Sequence, residues 1–159
     1  MEQIIKFNNW LFSIDVEANI SAYNNCPQSG ADECPCDDCQ NYARFRANIP
    51  DEIIQFFHQA GIDPRKESEV WRAARNENGQ HLYLGWYHFK GKMIEGEDCK
   101  QMLGPTSFTD KLEPITPTFG IGFTKGNAPS IFVDKTNLVQ IEFSTIIPWV
   151  LGHDSEPNW

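Results

Sequence analysis

Four cysteines between positions 26 and 39 are the residues whose type and spacing most clearly suggest chemistry. They form a C-x7-C-x-C-x2-C pattern of Cys26, Cys34, Cys36 and Cys39. Zinc prefers four tetrahedral ligands and binds thiolates well, and the spacing of Cys36 and Cys39 lets two sulfurs reach one ion. We therefore predict a structural zinc site on these four cysteines, since four protein ligands leave no open coordination position.

The cysteine spacing also allows other ligand sets. The pattern differs from the usual pair of separated C-x-x-C knuckles. Cys26 or Cys34 could therefore be a bystander, with Cys99, His58 or His81 as the substitute ligand. Cys26 is the fourth ligand by default, and the other three cysteines of the pattern form the core of the prediction.

Acidic residues surround the cysteines and bear on the choice between metal binding and thiol redox chemistry. They are Asp32, Glu33, Asp37 and Asp38. Like charges disfavour a thiolate, so we expect raised thiol pKa values, whereas a bound cation would supply the missing positive charge. This favours a metal over redox exchange at a reactive Cys36. Two alternatives stay open: loop cysteines with no shared role, and calcium on the carboxylates, although the D-x-D-x-D-G ligand order is missing.

Composition excludes several other functions. The chain of 159 residues has a net charge of −9 and no cluster of Lys and Arg, which disfavours nucleic-acid binding and an anionic membrane surface. Ser107 and Ser144 lack the G-x-S-x-G frame of a nucleophile elbow, so no catalytic residue is predicted.

The first ten residues do not resemble a signal peptide, and no apolar run approaches the ~20 residues of a membrane helix. We expect a cytoplasmic protein, where thiols stay reduced.

The N-terminal half is predicted to place two helices after a pair of strands. Residues 1–7 read as a short strand, Asn8 and Asn9 as the turn, and the alternation from Phe12 to Val16 as a second strand. A helix over residues 2–12 is the alternative. A short helix is predicted over residues 39–48. A second helix starts after Pro50 and ends at a Gly61 C-cap.

The C-terminal half is predicted to be mainly β. We expect a strand over 81–89 that turns at Gly91 into residues 92–95, a long loop over 96–117 and a frayed tail over 152–159. Further strands are predicted over 119–124, 130–133 and 138–143. The whole chain, 1–159, is therefore predicted as a single α+β domain, with a mainly antiparallel sheet and two short helices in the N-terminal third.

Four segments together resemble a family of uncharacterised bacterial proteins. They are the C-x-C-x2-C-x-N-Y motif from Cys34 to Tyr42, the Pro-led helix from Pro50 to Pro64, the G-W-Y strand from Gly85 to Tyr87, and the I-E-F…I-P-W-V-L segment from Ile141 to Leu151. The resemblance implies a domain outline and carries no established activity.

The sequence therefore predicts a small partner-binding domain without enzymatic activity, braced by a cysteine-ligated zinc. The partner is expected to be a protein, and the oligomeric state is not predicted. The acidic surface would suit a basic partner. The alternative is an enzyme that uses the cysteines at 26–39 for thiol redox or metal chemistry.

Overall fold

A seven-stranded antiparallel sheet forms the body of the protein, in a computed structural model that describes residues 2–126 and 128–159. Its strands are β1 (Glu2–Phe7), β2 (Trp10–Asp15), β3 (Glu69–Arg75), β4 (His81–Glu95), β7 (Glu113–Thr116), β8 (Phe119–Lys125) and β9 (Leu138–Ile147). A separate hairpin consists of β5 (Lys100–Met102) and β6 (Phe108–Asp110). The α-helices are α1 (Val16–Asn25), α2 (Gly30–Glu33), α3 (Asp37–Phe45) and α4 (Asp51–Ala60), and 3-10 turns cover Arg46–Asn48 and His153–Ser155. The predicted α+β class with a mainly antiparallel sheet is confirmed.

Strand β4 organises the sheet, whose strand order is β1-β2-β4-β9-β8-β7. The first half of β4 pairs with β3, and its last residues pair with β2. Strand β9 pairs with residues 81–90 of β4. Consecutive side chains of a strand point to opposite faces, and Tyr83, Tyr87 and Phe89 are all buried on one of them. Helices α3 and α4 pack against this aromatic face.

The predicted hairpin at the start of the chain is confirmed from Glu2 onward, with Asn8 in the left-handed conformation at its turn. Met1, the first residue of the predicted strand, lies outside the described residues. The second strand stops at Asp15, and the predicted continuation to Val16 is wrong. The Asp15 carboxylate accepts a hydrogen bond from the Ala18 amide at 3.1 Å and so caps α1. An N-cap of this kind satisfies a free amide of the first helical turn, which favours a helix over further strand.

The two predicted helices correspond to α3 with its 3-10 extension and to α4, which reaches beyond the N-terminal third. Gly61 ends α4 with φ of 81°, as the C-cap prediction required. Phe56 of α4 meets the rings of Phe7 and Phe123 at centroid distances of 4.8 and 5.7 Å. Tyr42 of α3 lies 5.6 Å from the ring of Tyr83. Both helices are therefore anchored on the sheet by aromatic contacts.

The predicted turn at Gly91 is wrong, because β4 continues unbroken to Glu95. Gly91 sits instead where β2 comes very close. A Cβ at this position would lie 2.4 Å from the carbonyl oxygen of Ser13, and only glycine avoids that clash. The glycine therefore permits strand pairing rather than chain reversal.

Three other segments also differ from expectation. Residues 96–117 are not one long loop, since they contain β5, β6 and β7. Residues 130–133 do not form a strand; they belong to the connection between β8 and β9. The tail predicted to fray makes contacts with the sheet: Glu156 accepts from His81 at 2.9 Å, and the Trp159 ring lies 4.2 Å from the Arg72 guanidinium.

Candidate metal centre

The junction between α2 and α3 carries three cysteines. Cys34 directly follows the last residue of α2, and Cys36 is the N-cap of α3. Cys39 lies in the first turn of α3, three residues after the N-cap. An N-cap side chain and the residue three positions later project to the same end of a helix. The helix start therefore brings the Cys36 and Cys39 sulfurs together, and the extended Cys34 adds the third.

The three sulfurs are close enough to share one ion. The Sγ atoms of Cys34, Cys36 and Cys39 all lie within 4.8 Å of one another, and those of Cys34 and Cys36 are 3.0 Å apart. Zinc–sulfur bonds of about 2.3 Å at tetrahedral angles place two sulfurs about 3.8 Å apart. A shift of roughly 1 Å per sulfur would meet that geometry. The three cysteines could therefore hold a metal ion.

Exposure and pKa values differ among the three thiols. Cys39 is buried, Cys34 is half-buried and Cys36 is exposed. Hydrogen bonding with the Cys36 thiol lowers the pKa of Cys34. Burial, and then hydrogen bonding with the other two cysteines, raises the pKa of Cys39. A bound cation would stabilise all three thiolates and remove the penalty on Cys39.

The predicted rise in pKa does not hold for Cys34, because its hydrogen bond with Cys36 lowers the pKa by more than the nearby Glu69 carboxylate raises it. Arginines distant in sequence neutralise two of the four acidic residues. Arg46 lies 3.3 Å from the Asp32 carboxylate, and Arg72 lies 3.1 Å from that of Asp38. Paired carboxylates exert less repulsion on a nearby thiolate. A thiolate at the junction is therefore less destabilised than the sequence indicates.

A buried ion pair fixes the junction to the loop that precedes β3. Arg46 donates to Glu67 at 2.9 Å and to the Ser29 hydroxyl at 2.9 Å. The Glu67 side chain is fully buried and also accepts from the Ala31 amide at 3.2 Å. Ser29 and Asp32 form the capping box of α2. These contacts hold α2 in place and thereby set the position of Cys34.

Cys26 does not join the three-cysteine group. Its thiol donates instead to the carbonyl oxygen of Gln28 at 3.0 Å. Among the residues that the structure describes, the substitutes weighed for the fourth ligand are also outside the group: Cys99 is buried beneath Gly122, His81 bonds Glu156, and His58 is exposed on α4. Ligation by any of these cysteines stays a prediction.

Sequence reasoning missed the arginines and the buried Glu67. Arg46 and Arg72 lie 14 and 34 residues from their acidic partners, so spacing alone gave no sign of the pairing. The only sequence feature of Glu67 was its place in the Pro-containing connection before β3, which does not indicate burial. A Glu in a connecting segment is ordinarily solvated, and burial appears only once the fold is known.

No protein-family model, curated protein or solved structure matches this chain. The family resemblance therefore stays a prediction and transfers no activity. Within residues 2–126 and 128–159, no helix combines the length and hydropathy that a bilayer crossing requires. The geometry of the α2–α3 junction is therefore the observation that bears on function.

Proposed function

We propose that this protein is a partner-binding domain without enzymatic activity, in which a zinc ion on Cys34, Cys36 and Cys39 braces the α2–α3 junction. The observation that carries the proposal is the convergence of the three sulfurs within 4.8 Å. Thiolate donors favour zinc over calcium or magnesium, which take oxygen ligands. A cytoplasmic location fits this role, because ligating thiols must stay reduced.

The need for a brace follows from the small size of the elements that the ion would join. Helix α2 has four residues, and Pro35 alone separates Cys34 from Cys36. Isolated helices shorter than ~12 residues are marginal in water, so tertiary contacts must hold α2. A metal bonded to both ends of the α2–α3 connection would fix their relative positions.

Two features support a protein partner. Trp71 on β3 lies beside the cysteines in the same surface cleft and is 43% exposed, although aromatic side chains of this size usually contribute to a core or an interface. The net charge of −9 favours a basic partner over an acidic one. The partner would therefore be a basic protein that contacts the cleft next to the metal.

Zinc analysis of the purified protein tests the proposal. We expect stoichiometric zinc after purification without chelator, and its loss from the Cys34→Ser, Cys36→Ser and Cys39→Ser variants. Cys26→Ser is the matched control and should keep its zinc. Equal zinc loss from Cys26→Ser would restore Cys26 as a ligand and contradict the three-cysteine arrangement.

Thiol redox chemistry is the second candidate, and the lowered pKa of Cys34 beside an exposed Cys36 favours it. A thiolate at neutral pH is the nucleophile in disulfide exchange. Maleimide labelling separates the two functions. Slow labelling that a chelator accelerates supports the zinc brace, whereas a zinc-free protein with one fast thiol supports redox chemistry.

A further inference from the structure

We infer that the fourth coordination position of this metal faces the cleft beside the cysteines and takes a neutral imidazole from outside the chain. The inference rests on the proposed function, since it concerns the same metal. Zinc ordinarily has four ligands, and a site with three protein ligands keeps its fourth position for water or an exogenous group. Among the described residues, the group contains three ligand atoms, so an open position follows.

The open position has a defined environment. Cys34, Cys36 and Cys39 line a cleft of about 400 Å³, together with Glu33, Glu69 and Trp71. Clefts of ~300–1,000 Å³ hold small-molecule groups, and an imidazole is well below that limit. Cys36 is exposed and Cys34 half-buried, so the metal would lie at the wall of the cleft rather than beneath it.

The charge of the site selects a neutral donor. Three thiolates and one Zn²⁺ sum to a charge of −1, and the exposed Glu33 and Glu69 add further negative charge. Arg72 cannot offset these groups, because its guanidinium is already paired with Asp38 at 3.1 Å. The nearby negative charge disfavours a carboxylate or thiolate in this position relative to a neutral donor. Imidazole is neutral and is a common zinc ligand.

The histidines of this chain do not supply that ligand within one molecule. His81 and His88 are buried and bonded to Glu156 and Gln140. His58 and His153 are exposed, and neither belongs to the three-cysteine group. The imidazole therefore comes from another chain, and a histidine on the basic partner proposed above would provide it.

Cobalt substitution tests the inference on the intact protein. Co²⁺ replaces Zn²⁺ in thiolate sites, and its visible absorption reports the coordination number and the ligand set. We expect the cobalt spectrum to change on titration with imidazole, and to change less or only at higher concentration with azide. Glu69→Gln should increase azide affinity about threefold, since it removes one nearby charge, and leave imidazole affinity unchanged. Glu77→Gln, at the exposed turn between β3 and β4, is the control and should alter neither.

The failures of the two proposals are distinguishable. A cobalt protein whose spectrum ignores imidazole has a closed site, which overturns the inference and leaves the metal brace intact. If azide binds as tightly as imidazole, the inference of a neutral donor is also overturned. A protein that binds no cobalt contradicts the proposed function itself.

Sedimentation of the zinc-loaded protein identifies the source of the imidazole. A dimer that is lost in the His58→Gln/His153→Gln variant would assign the donor to a second copy of this chain. A monomer whose cobalt spectrum responds to imidazole would exclude a second copy as the donor and support a different protein. The dimer would contradict a basic partner as the source of the imidazole.

Discussion

Replacing Arg46 with Met should destabilise the protein strongly and in a pH-dependent way. Met keeps much of the length and apolar volume of the arginine stem but removes the charge. The change leaves the Glu67 carboxylate, whose side chain is fully buried, without its 2.9 Å cationic partner. Asp32 also loses its arginine, but this carboxylate is 41% exposed and can turn to water.

The expected loss follows from the burial of both partners. Removing one member of a buried ion pair typically costs about 3–5 kcal/mol, because the remaining charge has no compensation. Arg46 is 11% exposed and Glu67 is fully buried, so this pair belongs to that class. The expected loss corresponds to a fall in Tm of roughly 10 °C for a domain of this size.

The pH dependence provides a sharper test than the size of the loss. Burial raises the pKa of Glu67 above its usual value of 4.5, and Arg46 lowers it only in part. Without Arg46 the folded-state pKa rises further. A carboxyl whose pKa is raised on folding stabilises the fold below its unfolded-state pKa, and that stability is lost as pH rises. The deficit of the variant should therefore be larger at pH 8 than at pH 5, by up to about 1.4 kcal/mol for each unit by which the substitution raises the folded-state pKa of Glu67.

Urea unfolding of wild type and variant at pH 5 and pH 8 measures this deficit. The matched control is Arg65→Met, which removes an arginine that is 76% exposed and paired with Asp63 at 3.1 Å. Exposed pairs contribute about 0–1 kcal/mol, so the control should lose little at either pH. The Arg46→Met/Glu67→Gln double variant should regain part of the loss, since no charge then stays buried. Equal losses in Arg46→Met and Arg65→Met, or a deficit independent of pH, would refute the reasoning.

Two further predictions concern the sheet, and one concerns the metal. Gly85→Ala should lower the free energy of unfolding, measured in urea, by about 1–3 kcal/mol, because the new Cβ would lie 2.4 Å from the carbonyl oxygen of Glu69. The control is Gly104→Ala, whose nearest contact would be 3.3 Å away and which should change stability little. Burial lowers the pKa of His88 to about 4, so protonation favours the unfolded chain as pH falls below 6.5. The free energy of unfolding of wild type relative to His88→Gln should therefore fall by about 3 kcal/mol between pH 6.5 and pH 4. A difference unaffected by pH would contradict this. Chelation should lower Tm by roughly 10 °C if free metal is about 1,000 times its Kd, and an unchanged Tm in the zinc-loaded protein would count against the brace.

The parts of the fold that sequence predicted correctly are those with strong local signals. Helix α4 begins after Pro50 and ends at Gly61, and both residues impose their backbone conformation without help from the rest of the chain. The first hairpin was predicted from its Asn8-Asn9 turn and from the alternation that follows it, against the alternative of a helix over residues 2–12. These features depend on neighbouring residues, which the sequence displays directly.

The errors arose where a residue acts on a distant part of the chain. Gly91 suggested a turn, but its role is to let β2 approach β4. Helix α1 was missed because Val16 continued the strand alternation from Phe12, and the Asp15 cap was read as part of that pattern. Propensity and periodicity report local preference, and tertiary contact decides such ambiguous segments.

The candidate site shows the same division. The spacing of Cys36 and Cys39 predicted that two sulfurs could reach one ion, and the structure supplies the reason, because Cys36 is the N-cap and Cys39 lies three positions later at the same end of the helix. The sequence could not show that Cys26 lies apart, since a loop of seven residues can fold in many ways. It also could not show that Arg46 and Arg72 neutralise two nearby carboxylates.

Metal loss should open the junction without unfolding the sheet. Phe56 and the rings around it belong to α4 and the sheet, and the Tyr42 ring anchors the later part of α3 5.6 Å from Tyr83. Arg46 and Glu67 hold the start of α2, so the segment that depends on the ion is the end of α2 and the first turn of α3. Local opening of this kind exposes backbone amides while the core stays protected. Hydrogen exchange after chelation should accelerate over residues 33–39 and stay slow over 83–89; uniform acceleration would mean that the metal supports the entire domain.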